Sequence, residues 1–167
     1  MKAINLTTFI LGALVFNTAD AIEISGFKFG LVCPDRETKS AWVCHETKRI
    51  NLTGQAVCTY NKQKAPCTWY GFSFKYKNHK NNHKINCISV SSAPSILGNP
   101  ESIDASSRTE HKYSLELNEE SGFFVNPQYT VYAIKSAHNY LHNTKTECYA
   151  EDKLIFKYDY DIIYPVK

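Results

Sequence analysis

Residues 75–84, Lys-Tyr-Lys-Asn-His-Lys-Asn-Asn-His-Lys, concentrate the reactive side chains of this chain. Lys75, Lys77, Lys80 and Lys84 supply the positive charge that neutralises phosphate or sulfate groups, and no acid interrupts them. His79 and His83 add donors that titrate near neutral pH. Tyr76 adds a ring on which a base or sugar could stack. These residues form a candidate anion-binding loop for an anionic glycan or polymer. Asn and Lys also solvate any exposed turn, so the same composition fits an inert tip.

Two histidine pairs, His79/His83 and His138/His142, are spaced four apart. On a helix that spacing puts two imidazoles on one face and starts a metal site. The first pair sits in a polar, non-helical segment. The second lacks the Glu that follows the first His of a metalloprotease motif. No metal ligand is assigned. His45-Glu46 and Glu110-His111 are the acid/base pieces a small nuclease uses. Neighbours on a strand face opposite ways, so a dyad would have to form between strands. There is no G-x-S-x-G nucleophile motif and no Gly-rich phosphate loop. No catalytic residue and no cofactor is assigned.

The elements that position these groups follow from the chain's address. Residues 1–21 open with Lys2, continue through the apolar run 9–16 and close on Ala19-Asp20-Ala21. Basic start, short apolar centre and small-residue end define a secretory signal peptide. The apolar run is too short to span a bilayer, and no later segment comes close. The expected mature chain is a single β-rich domain over residues 22–167, exported to the periplasm or the exterior.

All six cysteines follow the leader: Cys33, Cys44, Cys58, Cys67, Cys87 and Cys148. An even set in an oxidising compartment implies three disulfides, with fifteen pairings open from sequence alone. Cys148 stands far from the rest, so one bridge must reach back from the C-terminal region. No C-x-x-C occurs, which argues against a thioredoxin-type redox centre and a zinc ribbon. Asn51-Leu-Thr53 is an N-glycosylation sequon, placed in a loop and meaningful only in a eukaryotic host.

Period-two alternation dominates the chain. Over residues 153–164 one face carries Leu154, Phe156, Tyr158, Tyr160, Ile162 and Tyr164. Over 68–76 one face carries Tyr70, Phe72, Phe74 and Tyr76. Cys67 has the opposite parity, which puts its bridge on the outer face. Residues 85–90 read as a strand forming a hairpin with 68–76, its tip the basic segment. A closing hairpin turns at Glu151-Asp152. Weaker strands are expected at 26–31, 41–45, 55–60, 112–117, 122–125 and 128–134, with one short helix over 135–141. Residues 91–111 read as a long surface connection, and Pro66, Pro100, Pro127 and Pro165 as strand ends or loops. About eight short strands with crosslinks imply an all-β, disulfide-stapled antiparallel β-sandwich, with a small β-barrel as the alternative.

Charge is uneven. Residues 22–90 hold 11 Lys/Arg against 4 Asp/Glu, and residues 91–167 hold 7 against 11. Pairing between the halves explains this if they share one fold; a basic face for an anionic partner is the alternative. The aromatics Trp42, Trp69, Tyr70, Phe123, Phe124, Tyr129, Tyr132 and Tyr140 are mostly expected in the core, with a few free to bind. The leading expectation is a non-enzymatic binding protein whose partner is a protein or an anionic glycan. A nuclease-like hydrolase and an inhibitor or envelope component are the alternatives.

Overall fold

The computed structural model describes residues 22–34, 41–78, 83–95, 107–132 and 140–165, with the side chains of Pro34 and His83 excepted. The leader, His79, Lys80 and His138 lie outside the described residues. Ten strands and no helix occur among the described residues: β1 (Glu23–Pro34), β2 (Ala41–Glu46), β3 (Arg49–Asn51), β4 (Ala56–Tyr60), β5 (Gln63–Lys77), β6 (His83–Ser95), β7 (Arg108–Leu117), β8 (Ser121–Val131), β9 (Leu141–Ala150) and β10 (Lys153–Ile163). They form two five-stranded sheets. In the first, β5 is central. Its residues 70–77 lie between β1 and β8, β2 lies outside β1, and β4 pairs with residues 63–67. The second runs β3-β10-β9-β6-β7, antiparallel except where β3 joins β10 in parallel.

Alternation explains how the sheets face each other. The side chains of Tyr70, Phe72 and Phe74 are buried on β5, and those of Tyr158, Tyr160 and Ile162 on β10. Rings from opposite sheets meet in the middle. Phe29 of β1 stacks on Tyr158 at 5.3 Å and on Tyr160 at 4.6 Å between centroids. Phe72 meets Tyr158 at 5.2 Å and Phe156 at 5.8 Å, and Tyr70 meets Tyr160 at 5.6 Å. Each such pair adds roughly 0.5–1.5 kcal/mol beyond the area it buries.

The disulfides do a different job. Cys33–Cys44 joins β1 to β2, Cys58–Cys67 joins β4 to β5, and Cys87–Cys148 joins β6 to β9. All six cysteines are bridged, and every bridge lies within one sheet. Cys148 does reach back, over 61 residues, to its direct cross-strand partner Cys87. Cys67 has the parity opposite to the aromatic stripe, and its bridge to Cys58 is buried outside the main core cluster.

Several expectations need correction. Strands 68–76 and 85–90 do not form a hairpin: β5 belongs to one sheet and β6 to the other. The basic segment is therefore a crossover between sheets. Residues 122–125 and 128–134 fuse into the single strand β8, with Pro127 inside it. Among the described strands β8 pairs only with β5, and an edge strand tolerates a missing N–H. Pro66 likewise lies within β5. The connection over 91–111 is shorter than expected, because β6 runs to Ser95 and β7 starts at Arg108. Of the expected helix, residues 135–139 lie outside the described residues and Leu141 begins β9. Leu154 is 43% exposed because a β-bulge between Leu154 and Phe156 shifts the alternation by one residue.

Most of β9 and all of β3 were hidden in the sequence. The inward positions of β9 carry His142, Thr144 and Thr146, all buried. The two threonines meet their cross-strand partners on β6: Thr146 Oγ1 donates to Ser89 Oγ at 3.0 Å, and Thr144 lies 3.4 Å from Ser91 Oγ. A polar ladder replaces the apolar stripe that would have marked the strand. One close approach needs glycine on both sides. Gly30 and Gly71 are cross-strand partners; a Cβ on Gly30 would sit 2.0 Å from His45 O, and one on Gly71 2.1 Å from Asn126 O. With no side chain there, β2 and β8 curl over the outer face until their Cα atoms come within 8 Å. Val32 and Val43, cross-strand partners on β1 and β2, are buried but outside the main cluster.

Burial raises Tyr158 and Tyr160 well above the ordinary phenol value, desolvation being the chief cause. A folded-state value above the unfolded one gives stability that is complete below about pH 10 and lost as pH rises through it, because the unfolded chain then deprotonates first. Each buried tyrosine steepens the loss by about 1.4 kcal/mol per pH unit. Urea midpoints should fall between about pH 10 and 11.5, and Tyr158→Phe/Tyr160→Phe should flatten that fall while keeping both rings. Identical pH slopes in the two proteins would contradict the assignment.

Candidate functional site

A groove of about 910 Å³ opens on one flank of the sandwich. Its cause is a shortage of strand. β2 covers β1 only over residues 30–34, and β3 covers β10 only over 161–163. Between them the chain crosses from one sheet to the other. Thr47 N–H donates to Phe29 O at 3.1 Å, and Asp161 N–H donates to Lys48 O at 2.8 Å. Below that crossing, among the described residues, no strand pairs with the flank edges of residues 24–28 of β1 and 153–160 of β10.

The gap exposes the rim of the aromatic core. Half-buried Phe27 lies in the floor, backed by the buried side chains of Phe29, Tyr158 and Thr146. Phe27 sits at the β-bulge between Ser25 and Lys28 and is half-buried, 5.2 Å from Phe156 and 5.6 Å from Tyr158. Charged residues rim the groove. Lys28 pairs with Glu46 at 2.5 Å, and Lys48 with Asp159 at 2.8 Å. The hydrogen bond from Lys48 holds the Asp159 carboxyl below its usual range. Both pairs are solvent-exposed, so each contributes little to stability. Lys157 faces Glu147 across the sheet but makes no ion pair among the described residues.

Opposite signs alternate on the outer face of the second sheet. Lys157 lies opposite Glu147, and Asp159 opposite Lys145. Farther along the same two rows come Ile88 with Lys112 and Val90 with Glu110. Lys157, Glu147, Asp159 and Lys145 thus each have a neighbour of the other sign along the strand and across it. The Lys48–Asp159 pair joins the basic and acidic halves of the chain directly.

Among the described residues, those singled out in the sequence do not gather into one site. Lys75, Lys77 and Lys84 are exposed at one end of the sandwich. Lys77 is the cross-strand partner of Glu23, and Lys84 of Glu116, so acids border the basic crossover. His45 is exposed on β2, and Glu46 is held by Lys28. Glu110 and His111 lie on β7, at the far edge of the other sheet, where Glu110 approaches Lys112 at 3.5 Å and His111 Nε2 lies 3.2 Å from Ser95 Oγ. His142 is buried on strand β9 and not on a helix. No group of three metal-binding side chains occurs among the described residues. Asn51 is exposed, at the end of edge strand β3 instead of in a loop. Of the aromatics, Tyr70 is buried, Trp42 and Phe123 are 50% and 56% exposed, and Trp69 is half-buried against Tyr129 at 5.1 Å. The groove itself had no sequence signal, because it arises from where β2 and β3 stop pairing.

No family model matches the sequence, and no curated protein matches it. Solved structures do match in fold. A crystal structure of an immunoglobulin-like protein from Pseudomonas aeruginosa superposes with a TM-score of 0.51 at 10% identity, covering 87% of this chain and 98% of that one. At that identity the likeness is one of fold: this chain is an all-β, two-sheet domain with an immunoglobulin-like structural neighbour.

Proposed function

We propose that this chain is an exported, non-enzymatic binding domain that engages a protein partner through the flank groove. The observation that carries the reading is the groove itself: an aromatic floor beside two strand edges without partners among the described residues. Concave apolar surfaces edged by a few polar groups are where proteins take up other molecules. Export rests on the leader-like residues 1–21 and on three disulfides, which persist in oxidising compartments. No helix among the described residues is long and apolar enough to cross a membrane.

A protein partner is favoured over an anionic polymer at this groove because its lysines are largely neutralised. Lys28 and Lys48 are each paired to an acid, and Lys145 and Lys157 each face one across the sheet. The hydrolase reading needs an acid and an imidazole in contact; Glu46 pairs with Lys28, Glu110 with Lys112, His111 lies against Ser95, and exposed His45 makes no ion pair among the described residues. A photo-cross-linking residue placed at Lys28, on the rim, should trap one discrete partner whose joined peptide is identified by mass spectrometry. The same probe at Ser114, exposed on β7, should not. Equal or absent adducts from the two positions would overturn the groove as the binding surface.

The basic crossover supports a second reading, anion binding, since Lys75, Lys77 and Lys84 are all exposed. Replacing these three with Ala should lower the salt concentration that elutes the protein from a heparin resin. Unchanged elution removes the reading.

A further inference from the structure

We infer that the groove takes up its partner by strand addition: an extended segment, apolar–acidic–apolar in pattern, pairs with the open edge of β10 and places its carboxylate beside Lys157. The proposal rests on the groove being the binding surface and adds the mode of binding and the chemistry of the ligand.

The backbone geometry comes first. Asp161 N–H points to the flank, where it donates to Lys48 O. Amides alternate sides along a strand, so the N–H and C=O of Asp159 and Lys157 point the same way. Among the described residues, no main-chain group of another strand answers them. Just above, β3 fills this position, running parallel to β10 over Asp161–Ile163. A segment laid along residues 153–160 would extend the sheet by one more strand and satisfy the groups that β3 leaves over.

The side chains then set the pattern. Residues of the added strand that face inward would meet Phe27, Phe156 and Tyr158, so they must be apolar. Residues that face outward join the alternating charge rows of the second sheet. Next to Asp159 the place is taken by Lys48. Next to Lys157 it is vacant, and the cross-strand rule for that site calls for an acid. Strand addition draws affinity from main-chain hydrogen bonds and specificity from alternate side chains, which is the division seen here.

The test uses the mature protein, residues 22–167, and a labelled acetylated peptide Thr-Val-Glu-Val-Thr-Val. Fluorescence anisotropy should show saturable binding. Exchanging the peptide's Glu for Lys should weaken it about tenfold, and Lys157→Glu in the protein should reverse that preference. N-methylation of alternate peptide amides should abolish binding, and amide exchange should slow at Lys157 and Asp159 when the peptide is bound. Lys157 is exposed, so the charge reversal does not test folding. Absence of binding at millimolar peptide, or binding indifferent to N-methylation, overturns strand addition. Cross-linking at Lys28 judges the groove separately: adducts there with no strand addition leave the groove standing, and failure of both removes it.

Discussion

The stack of rings between the two sheets is the interaction on which the rest of this structure depends. Every disulfide closes within a sheet, and none crosses the sandwich. The sheets are held face to face chiefly by this packing, aided by the connections that pass between them and by contacts such as the hydrogen bond from Asn78 Nδ2 to Leu117 O. Phe29, wedged over Tyr158 and Tyr160, and Phe72, against Tyr158 and Phe156, are the centre of that contact. This differs from antibody domains, where a bridge between the sheets shares the load with a tryptophan. Here the bridges fix strand neighbours and register, and the aromatics decide how the sheets meet.

The same stack makes an open flank tolerable. Large rings bury area on more than one side, so the core holds where β2 and β3 withdraw from its rim. The surrounding design limits the hazard of a bare strand edge: a bulge beside Leu154 and charged Lys157 and Asp159 interrupt it. Such devices blunt indiscriminate edge-to-edge pairing while leaving the edge able to accept a segment that matches them. Fold and candidate site are thus two outcomes of one arrangement, in which the aromatic core is complete enough to be stable and incomplete enough to be reached.

What could be read in the sequence was whatever burial writes as alternation. The stripes Tyr70-Phe72-Phe74 and Tyr158-Tyr160-Ile162 announced two strands and their inner faces, and the even cysteine set announced three bridges. Partner choice was not legible. Strands β5 and β6 are neighbours in the chain but pair in different sheets, because local pattern says nothing about which distant edge offers the better match. β9 was concealed by inward Thr144 and Thr146, whose hydroxyls are satisfied by Ser91 and Ser89 across the sheet. The groove was invisible for a stronger reason: it is a place where pairing stops, and no residue type marks such a stop. Of the histidines and lysines that drew attention first, those the structure describes are dispersed: Lys75, Lys77 and His45 lie in one sheet, and Lys84, His111 and His142 in the other.

Strand addition requires the flank edge of β10 to be open, and amide hydrogen exchange of the free protein measures that directly. The N–H groups of Lys157 and Asp159 point to the flank, while those of Tyr158 and Tyr160 point into the sheet toward β9. Exchange should be fast at Lys157 and Asp159 and slower by orders of magnitude at Tyr158 and Tyr160. Equal protection at all four would mean that some part of the chain already covers the edge, and the groove would then be an interior seam and not a binding surface.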